Sequence, residues 1–301
     1  MKPTVALVGL GRMGAPMARL LLAARYRLRV YDASPRARAP FAKEQGATVC
    51  ASAADAARGA RVLITMLPDG AAVRAVLLGR NGAATTLGRG AVVLDMSSSD
   101  PDTTRRMGRA LAPRGVALLD APVSGRVLGA RDGTLTIMVG GSGAALARVR
   151  PVLKHLGTRI YHCGPAGAGH AVKSLSNAIA AAGTVAAFEA LLVGRALGLD
   201  AQLINDVWNA SAGRNTTTEQ KIPTQVLTRA FASGFALSLM AKDIGIAARL
   251  ARKTGVDAPL LRRSLALWRA AERRLARGAD HTEMYLYLRN VSAKRKPRRV
   301  S

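Results

Sequence analysis

A loop with three glycines lies near the N-terminus, between a run of strand-forming residues and a run of helix-forming residues. Residues 4–8 predict a strand and residues 15–24 a helix, and a second predicted strand at residues 28–31 ends in Asp32. The order strand, tight loop, helix and strand is the first unit of a doubly wound α/β sheet. This segment predicts an N-terminal domain of that type, built around the loop Gly9-Leu10-Gly11-Arg12-Met13-Gly14.

Each glycine of this loop suits the binding of a dinucleotide. Gly9 permits a sharp turn after the strand, Gly11 lets the backbone approach a pyrophosphate, and Gly14 lets the helix pack close to the strand. The amides and the dipole at the helix N-terminus favour phosphate groups. We therefore expect residues 9–14 to bind a dinucleotide.

The charged residues around the second strand bear on which dinucleotide binds. A carboxylate at Asp32 can accept hydrogen bonds from the adenosine ribose hydroxyls and would repel a 2′-phosphate, which favours NAD. Arg36 and Arg38 are close enough in sequence to attract such a phosphate, so NADP stays possible.

Alternating strands and helices continue to about residue 163, and the composition then changes. Further strands are predicted at 62–66, 92–94, 117–119, 135–139 and 160–161, which favours parallel strands with right-handed crossovers. A long helix, apolar on nearly every face, is predicted at 170–197, and such helices are usually buried all round. The sequence thus predicts an α/β protein with a Rossmann-type domain at 1–163, an all-helical domain at 164–290 that includes the long helix, and a basic mobile tail at 291–301.

The net charge of +27 raises the question of a nucleic-acid partner. The excess is spread, with +15 in residues 1–163 and +12 in the remainder, and only the run Lys294-Arg295-Lys296-Pro297-Arg298-Arg299 is concentrated. We expect solvated surface charge, with non-specific electrostatic binding of nucleic acid at most. A basic field also attracts anionic substrates and cofactors.

Cysteine usage and hydropathy indicate a cytoplasmic, soluble protein. Cys50 and Cys163 have no spacing typical of a disulfide framework or a zinc site, so no metal is expected. The most apolar stretch is the 15 residues between Lys173 and Glu189, whereas a membrane span needs about 20. Because one domain cannot easily cover all faces of the long helix, we also predict a homo-oligomer.

Three further motifs carry groups that could take part in chemistry. Ser124 and Gly125 follow a predicted strand and could hold a substrate carboxylate, although an ordinary turn would look the same. Lys173 and Asn177 have i, i+4 spacing on an apolar helix, where burial would lower the pKa of a lysine toward neutrality. A lysine exposed to solvent at the helix start is an equal alternative.

The third motif is Lys242-Asp243. Adjacent helical residues point about 100° apart, so only one of the two is expected to face a site. By itself, the pair is typical of solvated surface charge.

Taken in order, these motifs resemble the β-hydroxyacid dehydrogenase family, which includes 3-hydroxyisobutyrate dehydrogenases and tartronate semialdehyde reductases. The resemblance runs from Val5 to about Leu288. It implies that Ser124 and Gly125 bind the substrate carboxylate, that Lys173 is the catalytic acid–base group, and that Asn177 orients the substrate. It also implies a small 3-hydroxy acid or its semialdehyde as substrate, and further cofactor contacts from Leu67, Pro68, Ser98 and Lys242.

One residue departs from the pattern of the family. Where the family usually continues Ser-Gly with another glycine, this chain has Arg126, whose guanidinium could bind a second acid group or hydroxyls, or could point outward. Two alternatives remain: an imine reductase on the same fold, against which Lys173 argues, and a nucleic-acid- or chromatin-associated module that keeps the fold as a platform.

Overall fold

A computed structural model describes residues 2–293 of the chain. The chain divides into two compact units between Lys173 and Ser174. This division falls within the long helix, ten residues after the boundary that the sequence predicts. Of the predicted tail, residues 291–293 belong to the last helix, and residues 294–301 lie outside the described residues.

The first unit is built on a nine-stranded sheet. The strands run in the order β3-β2-β1-β4-β5-β6-β8-β7, with β9 paired to β8, and β1 to β6 are all parallel. The order 3-2-1-4-5-6 is that of a dinucleotide-binding doubly wound sheet, which confirms the predicted fold class. The strands are β1 Val5–Val8, β2 Leu28–Tyr31, β3 Ala47–Val49, β4 Val62–Thr65, β5 Val92–Asp95, β6 Ala117–Asp120, β7 Val123–Ser124, β8 Thr136–Gly140 and β9 Arg159–Gly164.

The far edge of the sheet departs from the predicted parallel pattern. β8 runs antiparallel to β6 and β7, with Asp120 opposite Gly140 and Ser124 opposite Thr136. The eleven residues between β7 and β8 hold only one short helix, and a parallel crossover ordinarily needs about a dozen or more. The expectation of parallel strands throughout is therefore wrong at this edge.

Helices cover both faces of the sheet. β1, β4 and β5 are buried at every residue, because each face of the sheet carries its own apolar core. Alternate residues of β1 enter opposite cores, Leu7 one and Ala6 the other. The helices of this unit are α1 Gly14–Ala23, α2 Pro35–Arg38, α3 Ala53–Ala57, α4 Gly70–Leu78, α5 Pro101–Leu111, α6 Arg126–Asp132 and α7 Gly143–Leu153.

Helix α8, Ala168–Ala196, crosses the boundary between the units and begins and ends within two residues of its predicted limits. By length and composition alone it could cross a membrane, and it is the one such helix among the described residues. However, Ala181, Phe188 and Leu191 are fully buried in the core of the second unit, as in a long core helix. Ile179 is 76% exposed and Val193 60%, so a single chain leaves part of this helix uncovered, as the sequence predicts.

The second unit is helical, as predicted. Its core includes Trp268 and Met284, both fully buried, packed with the inner side of α8. A π-helical segment at Thr217–Val226 contains Pro223. The remaining helices are α9 Ala201–Asn209, α10 Leu237–Thr254, α11 Pro259–Arg274 and α12 Met284–Ala293.

A polar cluster precedes α12. The Ser233 hydroxyl donates to Asp280 Oδ1 over 2.8 Å and lies 3.0 Å from His281 Nδ1. Burial raises the pKa of Asp280, but hydrogen bonds from His281, from the side chain and backbone of Thr282 and from Ser233 outweigh it and hold that pKa well below its usual range. We call this the second-unit cluster: Ser233, Asp280, His281 and Thr282.

Candidate active site

The glycine loop has the geometry that its sequence predicts. Gly9 has a φ of +101°, and a Cβ added there would lie 2.3 Å from the Met66 carbonyl oxygen. A Cβ at Gly14 would lie 1.8 Å from the Gly9 carbonyl oxygen, so α1 packs this close only because residue 14 is glycine. A Cβ at Gly11 would meet nothing within 4 Å, which leaves space over the backbone for a ligand.

The start of α1 and the end of β2 complete this cradle. The side chain of Met13 does not cap α1, and the positive end of the helix dipole at this uncapped start favours phosphate oxygens. Asp32 Oδ2 accepts a 2.7 Å hydrogen bond from the Leu10 amide, and its Oδ1 accepts one of 2.8 Å from Ser34. A carboxylate can accept about four hydrogen bonds, so Asp32 is held beside the loop and can still accept from ribose hydroxyls. These residues fit a dinucleotide.

The two arginines that could favour NADP are placed differently. Arg38 donates to the Cys50 carbonyl over 3.2 Å, and its guanidinium lies 5.5 Å from the centre of the Tyr31 ring. Arg38 is thus held by contacts with its own unit. Arg36 is exposed on the short helix α2.

A buried aspartate organises the loops after β4 and β5. Asp95, which is fully buried, accepts hydrogen bonds of 3.0 to 3.1 Å from the Thr65 hydroxyl, the Ser97 amide and the Ser99 hydroxyl. Ser97 Oγ in turn accepts from the Leu67 amide over 3.0 Å. The predicted cofactor residues Leu67 and Pro68 after β4 and Ser98 after β5 therefore lie on loops fixed by one acid.

A second buried aspartate fixes the start of α8. Asp120, at the end of β6, accepts from the Gly167 amide over 2.7 Å and from the His170 amide over 2.9 Å. The approach is close: a Cβ at Gly169 would lie 2.2 Å from the Met138 carbonyl oxygen. Gly169, in the first turn of α8, thus lets this turn contact β8, and Lys173 follows one turn after His170.

His170 joins these two groups. Its side chain is buried, with Nδ1 2.8 Å from the Thr104 hydroxyl and Nε2 3.0 Å from the Ser97 carbonyl oxygen. Because a carbonyl oxygen only accepts, Nε2 carries the proton of that bond. The ring lies 3.8 Å from the Asp95 carboxylate and 4.0 Å from that of Asp120. We call this the first-unit cluster: Asp95, Thr104, Asp120 and His170.

The segment Ser124 to Arg126 extends beyond the end of β6. Ser124 is exposed and lies four residues past Asp120, in register with β8. Gly125 has a φ of +138°, and Arg126 has a φ of +59°, in the left-handed region that favours glycine. Arg126, which departs from the family pattern, therefore has a backbone conformation that favours glycine.

Asn177 and Lys242 both contact Asp243 in the second unit. Asp243 is 2% exposed and accepts a 2.6 Å hydrogen bond from Asn177 Nδ2. Lys242 Nζ lies 3.3 Å from Asp243 Oδ1. The expectation of a solvated charge pair is therefore wrong for Asp243, which instead holds Asn177 in place.

Sequence reasoning assigned no positioning role to Asp95, Asp120 or Asp243, although Asp120 and Asp243 lie in or beside the motifs that it singled out. Asp95 and Asp120 each end an apolar strand, which was a usable signal, because polar groups at that edge of a parallel sheet face a ligand crevice. No local signal pairs Asp243 with Asn177, since 66 residues separate them.

The fold and the glycine cradle define a class, the oxidoreductases that bind a nicotinamide dinucleotide at the carboxyl edge of a doubly wound sheet. Residues 4–164 match the profile of the NAD binding domain of 6-phosphogluconate dehydrogenase. Residues 167–288 match a second profile, which describes NAD-binding of NADP-dependent 3-hydroxyisobutyrate dehydrogenase.

Individual relatives agree with these matches. An NAD-dependent L-serine dehydrogenase of Pseudomonas aeruginosa is 38% identical over 88% of this chain and 91% of its own. A 2-(hydroxymethyl)glutarate dehydrogenase of Eubacterium barkeri is 36% identical over 85% of each chain. The solved 3-hydroxyisobutyrate dehydrogenase of Mycobacterium tuberculosis with L-serine has a TM-score of 0.87 and 34% identity, and the match covers 96% of this chain and 100% of that one.

The chain belongs to the β-hydroxyacid dehydrogenase family. It is an NAD(P)-dependent hydroxyacid dehydrogenase.

Proposed function

We propose that the chain interconverts a small 3-hydroxy acid and its semialdehyde, with Lys173 as the acid–base group. The observation that carries this proposal is the first-unit cluster. It ties the loops that bear Leu67 and Ser98 to the first turn of α8, one turn before Lys173. Relatives that oxidise L-serine and 2-(hydroxymethyl)glutarate, both 3-hydroxy acids, support the substrate class.

The residues that would hold the cofactor are the glycine loop, Asp32, the loops after β4 and β5, and Lys242. Bound NAD(P) supplies the hydride acceptor for oxidation or the hydride donor for reduction. Because Asp32 is held beside the loop and Arg38 is engaged with Cys50 and Tyr31, we propose NAD as the preferred cofactor.

The remaining residues act on the substrate. The Ser124 hydroxyl and the Gly125 amide receive the carboxylate, and Asn177, held by Asp243, orients the hydroxyl group. Lys173 takes the hydroxyl proton during oxidation and returns it during reduction. A lysine suits this task when its surroundings bring its pKa toward the working pH.

Turnover of defined substrates tests this function. Purified protein should oxidise L-serine, 3-hydroxyisobutyrate or another 3-hydroxy acid, and reduce a matching semialdehyde, with nicotinamide absorbance as the readout. We expect kcat/KM to be higher with NAD than with NADP. Lack of turnover across the panel with both cofactors would contradict the function, and an NADP preference would contradict the assignment of Asp32.

We also propose that a second copy of the chain covers the exposed side of α8, on which Ile179 and Val193 lie. Light scattering should then report a stable dimer or larger oligomer at micromolar concentration, and a monomer would count against it. We propose a cytoplasmic location, a compartment that keeps thiols such as those of Cys50 and Cys163 reduced.

A further inference from the structure

We propose that Arg126 binds a second carboxylate of the substrate, so that the enzyme prefers 3-hydroxy acids that carry two acidic groups. The inference rests on the proposed function, in which Ser124 and Gly125 receive the first carboxylate. The neighbouring guanidinium of Arg126 would then bind the substituent by which one 3-hydroxy acid differs from another.

The first observation is the backbone at Arg126. Its φ of +59° places a side chain with a Cβ in the left-handed region, directly after Gly125 at +138°. Only glycine adopts that region without a steric cost. Arg126 is thus a residue with an unfavourable backbone next to the proposed carboxylate site. Such outliers concentrate where a ligand is bound.

The second observation is that the guanidinium of Arg126 has no polar partner in the described part of the chain. Arg126 is exposed, and among residues 2–293 its side chain makes no hydrogen bond or ion pair. Some other arginines of the same unit are paired with an acid, as in the ion pairs Arg29–Asp55 and Arg105–Asp102. The packing of the unit therefore does not account for an arginine at this position.

The third observation is chemical. A guanidinium presents its donors in a planar fork that matches a carboxylate with two parallel hydrogen bonds. The nearest acid before it, Asp120, is buried with both oxygens accepting backbone amides, so it does not compete for Arg126. Residues 1–163 carry a charge of +15, which attracts a dianion more strongly than a monoanion.

The position of Arg126 at the carboxylate site distinguishes it from the many other exposed arginines. The chain offers a matched control in Arg25, which is also exposed and has a φ of +60°, at the end of α1. Arg25→Gly relieves the same backbone conformation and removes the same charge, but it does so away from Ser124. Any effect of backbone strain or net charge should therefore appear in both variants.

The test uses three 3-hydroxypropanoates whose substituent at C2 has equal length and ends in a carboxylate, a carboxamide or a methyl group. We expect the wild type to favour the carboxylate over the carboxamide by about 10- to 100-fold in kcat/KM, the range of a charge-assisted hydrogen bond. Arg126→Gly should abolish this preference, mainly through KM. Arg126→Lys should keep part of it, and Arg25→Gly should keep all of it.

The outcomes separate the two proposals. Turnover of all three compounds without preference for the carboxylate, or a preference that survives Arg126→Gly, overturns the inference and leaves the proposed function standing. An equal loss of preference in Arg25→Gly would assign the effect to net charge and also overturn it. No turnover of any compound with NAD or NADP contradicts the proposed function, and this inference with it.

Discussion

Each of the two units contains a polar cluster. The clusters are built from the same chemical groups, but they connect different segments of the chain. Each has a buried histidine beside an aspartate and a hydroxyl group: His170 beside Asp120 in the first unit, and His281 beside Asp280 in the second. The first-unit cluster connects loops that follow two strands to the helix that bears Lys173. The second-unit cluster fastens the loop before α10 to the start of α12.

Composition alone therefore does not identify an active site. An aspartate, a histidine and a hydroxyl group form a structural cap in the second unit. There, Asp280 accepts hydrogen bonds from the backbone amides of Gly234 and Thr282. The position of the first-unit cluster, at the carboxyl ends of β5 and β6, gives it a connection to ligand binding. Variants at the two clusters should therefore differ in their effect on activity.

The largest effect is expected one turn beyond the first-unit cluster. Lys173→Ala should lower kcat by roughly 10²- to 10⁴-fold, the usual loss for a general acid–base, while NAD affinity changes little. Steady-state kinetics and fluorescence titration of the cofactor measure the two quantities. Lys154→Ala, which removes an exposed lysine at the end of α7, is the control. Turnover close to normal in folded Lys173→Ala protein would remove this lysine from the mechanism.

The two histidines give a matched comparison. His170→Ala and His281→Ala should each lower the free energy of unfolding by about 1–3 kcal/mol, because each leaves buried polar groups without partners. Only His170→Ala should also lower kcat, by up to about 10²-fold, since a small displacement of a catalytic group has that effect. Urea denaturation and kinetics on the same samples separate stability from activity.

A conservative change sharpens the same comparison. His170→Gln keeps a donor for the Ser97 carbonyl and should recover part of the activity that His170→Ala loses. Equal kcat values for the wild type and a folded His170→Ala variant would mean that the first-unit cluster is as purely structural as the second.

The smallest effect is expected at Asp280 and depends on pH. The pKa of Asp280 is depressed in the folded protein, so the unfolded chain takes up a proton first as pH falls. Its contribution to stability is complete above the ordinary aspartate pKa of about 3.9 and is lost as pH falls below it. Asp280→Asn should lower the free energy of unfolding by about 1–3 kcal/mol at pH 7, without loss of kcat.

The free-energy difference between the wild type and Asp280→Asn should narrow when urea denaturation is repeated from pH 7 down to pH 3. A difference that stays constant over this range would show that the charge of Asp280 does not stabilise the fold.

The sequence was sufficient for features encoded by neighbouring residues. The glycine loop, β2 and the limits of α8 follow from short-range patterns of glycine, β-branched and apolar residues. The two-residue strand β7 was too short to show a period, and the antiparallel direction of β8 depends on pairing that no single segment encodes.

The candidate site was predicted in part for the same reason. Lys173 and Asn177 stand out because they interrupt an apolar helix, so their spacing alone made them candidates. The groups that hold the helix start and Asn177 are distant in sequence: Asp120 is 50 residues from His170, and Asp243 is 66 from Asn177. A chain of hydrogen bonds between distant segments leaves no periodic trace in the sequence.

The short extension at Ser124 to Arg126 has a consequence for how such an enzyme can diverge. Its two polar side chains are exposed, and neither belongs to the buried clusters that hold the cofactor loops and α8. Exposed side chains such as that of Ser124 tolerate substitution with little change in folding free energy, typically within about 0.5 kcal/mol. At Arg126, where φ is +59°, a change to glycine would also relieve the backbone. On the proposed function, a lineage could therefore acquire a new substrate by point mutation at this extension while its dinucleotide cradle and Lys173 remain under unchanged selection.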